Sequence, residues 1–406
     1  MAEQRPTLTT GMCAAVQGIG GGLGWSLLPP LMPMIAKELG ISHTLGGFVW
    51  GMTPLGIALA APLGGYLVDR FGPRRIVGIA MIVGALACAA RALVHDPYTL
   101  ALVMFVFGLH TGLTAPAVPK ALGAHVAPQH LGRANGTALV AYTVGTALTV
   151  LTARTVLAPA LGGWRPVMAV AAILMALTGI LFYLLVPDRA VGGRRAGLGQ
   201  VFALARDWQL MRVGAIYFLL FGGYLAMLGL LPRSLTESGL RPGQVAVAVA
   251  SWLGTVAVAN QLGPWLSDRI GRRRPFILWG TVITVLAVAG LALAPPRAAV
   301  WLLVVGAIGG GCFTPLLLAL PLEIPTIGLA RAGGAVGLLM LIGQAGGFVL
   351  PVVCGAAAQG GGLGAAMGLL AGCYLLILLP IIGLRETGRA AAPAHEDLPA
   401  SRAVVA

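Results

Sequence analysis

Few side chains in this chain of 406 residues could do chemistry inside an apolar setting. Within long apolar runs stand His110, Thr111 and Thr114; Gln17, Trp25 and Ser26 around the glycine-rich GIGGGLG at 18–24; and Trp50 and Thr53. Tyr142, Thr143, Tyr217, Tyr224, Trp252, Asn260, Gln344 and Tyr374 complete the set. His110 alone among them titrates near neutral pH. All 12 acidic residues fall in gaps between runs or at run ends. No paired carboxylates, Ser/His/Asp set or metal-ligand cluster can be assembled at one depth. The five cysteines, Cys13, Cys88, Cys312, Cys354 and Cys373, are far apart in apolar sequence and read as packing residues. The expectation is a protein that binds a small solute by hydrogen bonds and ring contacts: no enzyme, no cofactor and no metal.

The elements that position these residues follow from composition. The chain is 58% hydrophobic and 9% charged, too few charges for a water-facing surface. Apolar runs predict twelve transmembrane helices at about 10–36, 45–68, 76–94, 98–119, 134–157, 166–186, 211–232, 244–266, 275–294, 299–321, 333–357 and 364–383. One gap is long. Residues 187–210 read as a linker between six-helix halves at 1–186 and 211–384, and the polar, Ala/Pro-rich 385–406 reads as a disordered tail. The first run lacks the basic start and small-residue cleavage site of a signal peptide.

The net charge of +14 does not point to nucleic acid, because the cations sit in short gaps between runs. With the N-terminus inside, inner gaps hold 19 of the 26 Lys and Arg residues; outer gaps hold Lys37, Arg91, Arg154, Arg165, Arg233, Arg241 and Arg297. The positive-inside rule then puts both termini in the cytoplasm of a cell-membrane protein.

The two halves repeat each other. Asp69-Arg70 aligns with Asp268-Arg269 at an offset of 199, and so do Gly112 with Gly311 and Pro116 with Pro315. LGRANG at 131–136 aligns with LARAGG at 329–334 at an offset of 198, which brings Gly145 onto Gly343. A duplicated six-helix unit, its copies related by an axis along the membrane normal, explains this.

GYLVDRFGPRR at 65–75 resembles the loop between helices two and three of the major facilitator superfamily, with Gly65, Leu67, Asp69, Arg70, Gly72, Arg74 and Arg75 in its positions. The second copy keeps Leu266, Asp268, Arg269, Gly271, Arg272, Arg273 and Arg274. Pro73 replaces a basic residue in the first copy, and Pro264 the first glycine in the second. The resemblance covers almost the whole chain. It implies an all-α integral membrane protein that works by alternating access, its aspartates latching the inner side by pairing between halves. Gly65 is expected to let helix two approach a neighbour closely. The arginines serve equally as topology signals.

GLTAPAVPKALGAHVAPQHLGRANG at 112–136 further resembles the cyanate and nitrate-type anion porters, as do FGGYLAMLGLLPRSL at 221–235 and GGGCFTPLLLAL at 309–320. The sequence departs from them by having no arginine in the first span and no paired mid-membrane arginines. It departs from cation-drug antiporters too: no arginine near the middle of the fourth span, no mid-membrane carboxylate, and Thr149 where a glycine follows Gly136 and Gly145. In this fold helices 1, 4, 7 and 10 line the cavity with help from 2, 5, 8 and 11. Candidate contacts are therefore Gln17, Trp25, Trp50, His110, Thr114, Tyr142, Tyr224, Trp252 and Gln344. His110 either carries a proton that helps hold an anionic substrate, or rests neutral against a carbonyl or threonine. Expected partners are a small solute, membrane lipid and, as coupling ion, protons; the expected state is a monomer. The alternative is efflux of hydrophobic or aromatic compounds.

Overall fold

Lipid offers backbone groups no hydrogen bonds, so apolar runs must satisfy them internally as helices. The computed structural model describes residues 4–187, 203–293, 298–324 and 326–387, and among these there are helices and no strand. The membrane-length helices are α1 (Thr7–Leu39), α2 (His43–Val68), α3 (Pro73–Leu93), α4 (Pro97–His125), α5 (Arg133–Leu161), α6 (Trp164–Leu185), α7 (Trp208–Glu237), α8 (Pro242–Ile270), α9 (Arg274–Leu293) and α10 (Ala299–Pro321). The last helical stretch, Gly334–Ile382, is two spans. It breaks at Gly361 and Gly362, the latter at a φ of 67° that favours glycine. With α11 before that break and α12 after it, the described residues hold the twelve expected spans. Most of the expected linker falls on 188–202 and most of the expected tail on 388–406, outside the described residues.

The sequence repeat is also a packing repeat. A side chain at Gly112 would strike the Cβ of Ala60, and one at Gly311 the Cβ of Ala259, each at 2.7 Å. Likewise Gly64 faces Leu113 Cα, and Gly263 faces Cys312 Cα. Gly145 lies against Gly18 and Gly343 against Tyr217. Every pair in the first half recurs in the second at the offset read from the sequence, so the same helix crossings are built twice. Small residues permit these approaches: backbones meet at Gly18 and Gly145, and Gly343 makes room for the Tyr217 ring.

The close approach of α2 to α4 differs from expectation by one residue. Gly65 has open space where a Cβ would stand, and its carbonyl accepts from Lys120 Nζ at 3.2 Å. Gly64 is the contact: a Cβ there would stand 2.9 Å from the Gly112 carbonyl oxygen. A one-residue step turns a helix by about 100°, which moves the glycine off the crossing.

GIGGGLG at 18–24 continues the helix of α1. Val16–Gly24 winds as a π-helix between two α-helical parts of α1. Its glycines let α1 ride on the α5 backbone: a Cβ at Gly22 would meet the Tyr142 carbonyl at 2.5 Å. The opposite faces of the bundle are apolar and open, as at Leu93, Trp301 and Ile382, each more than 70% exposed. These are the surfaces for lipid acyl chains.

Candidate substrate site between the halves

The two loops with the repeated Asp-Arg lie at one end of the bundle and are built by glycine turns. Gly72 (φ 81°) and Gly271 (φ 74°) end α2 and α8 in backbone conformations that L side chains avoid. Arg70 Nη1 donates to Tyr66 at 3.2 Å, Arg74 Nε donates to the Tyr183 carbonyl at 2.5 Å, and Arg269 lies over the Trp265 ring. Asp268 pairs with Arg273 at 2.5 Å, and Arg273 also reaches Glu323 on the following loop at 2.8 Å. Its hydrogen bonds to the Glu323 carboxylate, then those to Asp268, hold the Arg273 guanidinium above its ordinary range. Glu386 closes this cluster by accepting from the Arg273 and Arg274 backbone N–H groups at 2.6 and 3.1 Å. Arg272 contributes its carbonyl, which accepts from Ser267. The partners of Asp268 therefore belong to its own half. The side chain of Asp69 lies outside the described residues.

Contacts between halves concentrate at the opposite end. Trp50 Nε1 on α2 donates to the Leu225 carbonyl on α7 at 2.8 Å. Arg233 Nη1 donates to the Ile41 carbonyl at 2.7 Å, and its Nε to Glu237 at 2.8 Å. Glu237 accepts in turn from His43 at 2.7 Å. Thr44 donates to Gln359, and Arg154 to Thr236, each at 2.6 Å. A side chain at Gly51 or Gly355 would collide with the backbone of α11 or α2 respectively. The bundle is thus sealed at the end away from the Asp-Arg loops.

Beneath that seal runs an aromatic seam. Trp25 and Trp50 stand 6.3 Å apart in one half. In the other, Tyr217, Phe221, Tyr224 and Trp252 follow one another at 5.3, 6.2 and 5.2 Å. Gly229 on α7 meets the Trp50 ring directly, so the two groups share the interface between halves. Gln17 Oε1 and the Tyr142 ring flank Gly21 on the half-buried face of α1 and α5. Gln344 packs one residue beyond Gly343, which touches the Tyr217 ring. Trp25 Nε1, Asn260 Oδ1 and Gln344 Oε1 are buried polar atoms with no protein partner. Such atoms are costly unless something else bonds them. At the seam, the half-buried rings of Trp25 and Tyr224, the Trp25 donor and the Gln344 acceptor are what a bound molecule would meet.

Two sequence candidates fall outside this seam. His110 is 1% exposed and points into its own half, against Gly20 on α1 and Gly84 on α3, with the Phe107 ring 5.0 Å away. Its Nδ1 lies 3.3 Å from Thr111 Oγ1. Its Nε2 has no protein partner among the described residues, and the ring packs between α1 and α3 within its own half. Thr114 spends its hydroxyl on the Thr111 carbonyl at 3.1 Å.

Sequence reasoning also missed a residue. Arg91 counts there as an outer-gap cation, yet it lies inside α3 with no exposed surface. Its Nη1 donates to the Gly24 carbonyl at 2.9 Å and its guanidinium covers the Phe107 ring at 3.9 Å. Side chains on a helix lean toward its N-terminus, so an arginine near the α3 C-terminus reaches back toward mid-span. Its position three residues inside the end of the apolar run at 76–94, ahead of Ala92, Leu93 and Val94, was the available signal.

Twelve membrane helices in two repeated halves, with a polar and aromatic site at their interface, define a membrane transporter rather than an enzyme. The model of the Major Facilitator Superfamily matches residues 14–241, and that of an MFS_1 like family residues 210–330. The chain belongs to the Major Facilitator Superfamily. It is 26% identical over 362 residues to the probable nitrate/nitrite antiporter NarK1 of Thermus thermophilus, covering 80% of each chain. It is 22% identical over 384 residues to the cis,cis-muconate transport protein of Acinetobacter baylyi, covering 90% of this chain and 91% of that one. Among solved structures, the nucleoside transporter NupG superposes with a TM-score of 0.75 at 17% identity, over 93% of this chain and 98% of that one. A bacterial homologue of the lysosomal transporter Spinster gives 0.76 at 15% identity, over 92% and 94%.

Proposed function

We propose that this chain is a secondary transporter of a small organic anion, working by alternating access in the cell membrane with both termini in the cytoplasm. The observation that carries the reading is the seam itself. Ring faces at the half-buried Trp25 and Tyr224, backed by the buried Trp50 and Trp252, suit a flat organic body, and the unpaired Trp25 Nε1 offers an anion a hydrogen bond. Relatives named for nitrate and for muconate support an anionic cargo. The seam contacts include no Arg or Lys among the described residues, which favours a carboxylate with apolar surface over bare nitrate. Alternating access draws support from the seal at one end: the sealed contacts are hydrogen bonds and helix crossings that can part without unfolding either half. The lysine and arginine asymmetry puts the sealed end outside.

The experiment is uptake of radiolabelled cis,cis-muconate, benzoate and nitrate into proteoliposomes, with and without an imposed pH gradient. Uptake of an organic anion that excess nitrate does not block is the expected result. Nitrate uptake alone would overturn the organic cargo, and stimulation by an inward proton gradient would add protons as the coupling ion. The seam also suits uncharged aromatic compounds, so benzamide belongs in the same panel; transport of benzamide but no anion would favour the efflux reading.

A further inference from the structure

We propose that Arg91 is the residue that makes the site between the halves select anions, acting through α1 without touching the substrate. This rests on the anionic cargo proposed above and names what would choose it. Arg91 is fully buried, and no carboxylate among the described residues pairs with it. Glu38, the acidic residue of α1, is taken by Arg165 at 2.9 Å and by Trp164 Nε1 at 2.6 Å. Asp96 caps α4, accepting from the Tyr98 and Thr99 backbone at 2.9 Å. The guanidinium is left with the Gly24 carbonyl, the face of Phe107 and the weakly polar Cys88 thiol, and its Nε and Nη2 have no oxygen or nitrogen partner among the described residues.

An uncompensated charge inside a low-dielectric bundle is costly, and such charges mark ion or substrate pathways. It also acts at a distance, because counter-ions cannot enter to screen it. The location turns this into selectivity. Gly24 ends the π-helical segment of α1, and the next residue is Trp25, whose ring faces Trp50 and whose Nε1 lacks a partner. One hydrogen bond therefore fixes the backbone that presents Trp25 and brings positive charge up behind it. A side chain at Gly24 would strike Phe107 and Met175, so this approach is set by packing on both sides. The aromatic seam supplies shape, and Arg91 supplies the preference for negative charge that the seam contacts lack.

The test is binding of benzoate and its neutral isostere benzamide to the purified full-length protein, followed by quenching of tryptophan fluorescence. Arg91→Gln is expected to weaken benzoate about tenfold, the order of one charge interaction in a partly screened interior, while benzamide changes less than twofold. Arg91→Lys, which keeps the charge, should recover most of the benzoate affinity. Cys88→Asp provides a second route: it places a carboxylate one turn before Arg91 on α3, neutralises the guanidinium in place, and should reproduce the loss if Arg91→Gln does not fold. Equal weakening of benzoate and benzamide would reduce Arg91 to a structural clamp and overturn the proposal. Benzoate binding untouched by either variant would overturn it while leaving the anionic cargo standing. A wild-type protein that binds benzamide but neither benzoate nor cis,cis-muconate would overturn the cargo reading and this assignment together.

Discussion

Trp50 Nε1 donates to the Leu225 carbonyl at 2.8 Å, so a side chain of one half is bonded to the backbone of the other. A Cβ at Gly229 would stand 2.6 Å from the same ring, so α7 packs closely on it at this point of the seal. A transporter that alternates must break this bond each time the sealed end opens. Trp50→Phe keeps most of the ring and removes the donor. One hydrogen bond is worth about 1 kcal/mol net, or roughly a fivefold change in a two-state population. Spin labels at the exposed Lys37 and Ser238 should report that much more of the form open at this end. An unchanged distance distribution would show that the bond does not bias the two states.

Gly64 and Gly65 should respond oppositely to the same change. A methyl group at Gly64 would stand 2.9 Å from both the Gly112 oxygen and Leu113 Cα, whereas Gly65 has space. Overpacking at Gly64→Ala should cost about 1–3 kcal/mol, and Gly65→Ala less than about 0.5 kcal/mol. Thermal melting in detergent separates them. The second half should repeat the result at Gly263, which faces Cys312.

Acid should weaken the start of α4 through Asp96. The Thr99 hydroxyl, then the Thr99 and Tyr98 backbone N–H groups, hold its carboxyl below the ordinary aspartate value. A depressed folded value stabilises the protein above the unfolded value, near pH 4, and the contribution is lost as pH falls through the folded value. Asp96→Ala should therefore melt below wild type at neutral pH, and the difference should close on acidification. A difference that stays constant down to pH 3 would mean the cap works without its charge.

Topology can be read with a reporter active only in the cytoplasm. Fused within 188–202 it should be on, and within the turn from Ser238 to Arg241 it should be off. The reverse pattern would overturn the orientation drawn from Lys and Arg.

The Asp-Arg loops carry charges outside the membrane spans, where they contribute little to folding but bias states a few kcal/mol apart. Asp69→Asn should reach the membrane normally and slow exchange between the two open forms. Asp268→Asn should do so less, because Arg273 keeps Glu323 at 2.8 Å as a second partner. Equal turnover of Asp69→Asn and wild type would leave Asp69 without a role in the cycle.

Much of this architecture is written locally. Apolar run length fixes the spans, because a backbone in lipid has no alternative to the helix. The 199-residue offset fixes the repeat, because a duplicated unit repeats its crossings, as Gly112–Ala60 and Gly311–Ala259 do. Glycine at 72 and 271 fixes the loop turns, because their φ values exclude other residues. What lay beyond the sequence was rotation and reach. Whether Gly64 or Gly65 meets α4, and whether His110 faces the seam or its own half, depends on how each helix is turned about its axis. Neighbours on several elements decide that turn together. Arg91 is the clearest case: by position it belongs to the end of a span, and only the fold reveals that its long side chain runs inward to Gly24. Polar groups at a helix end can reach water or the bundle interior with equal ease in sequence, and the packing of α3 against α1 decides between them.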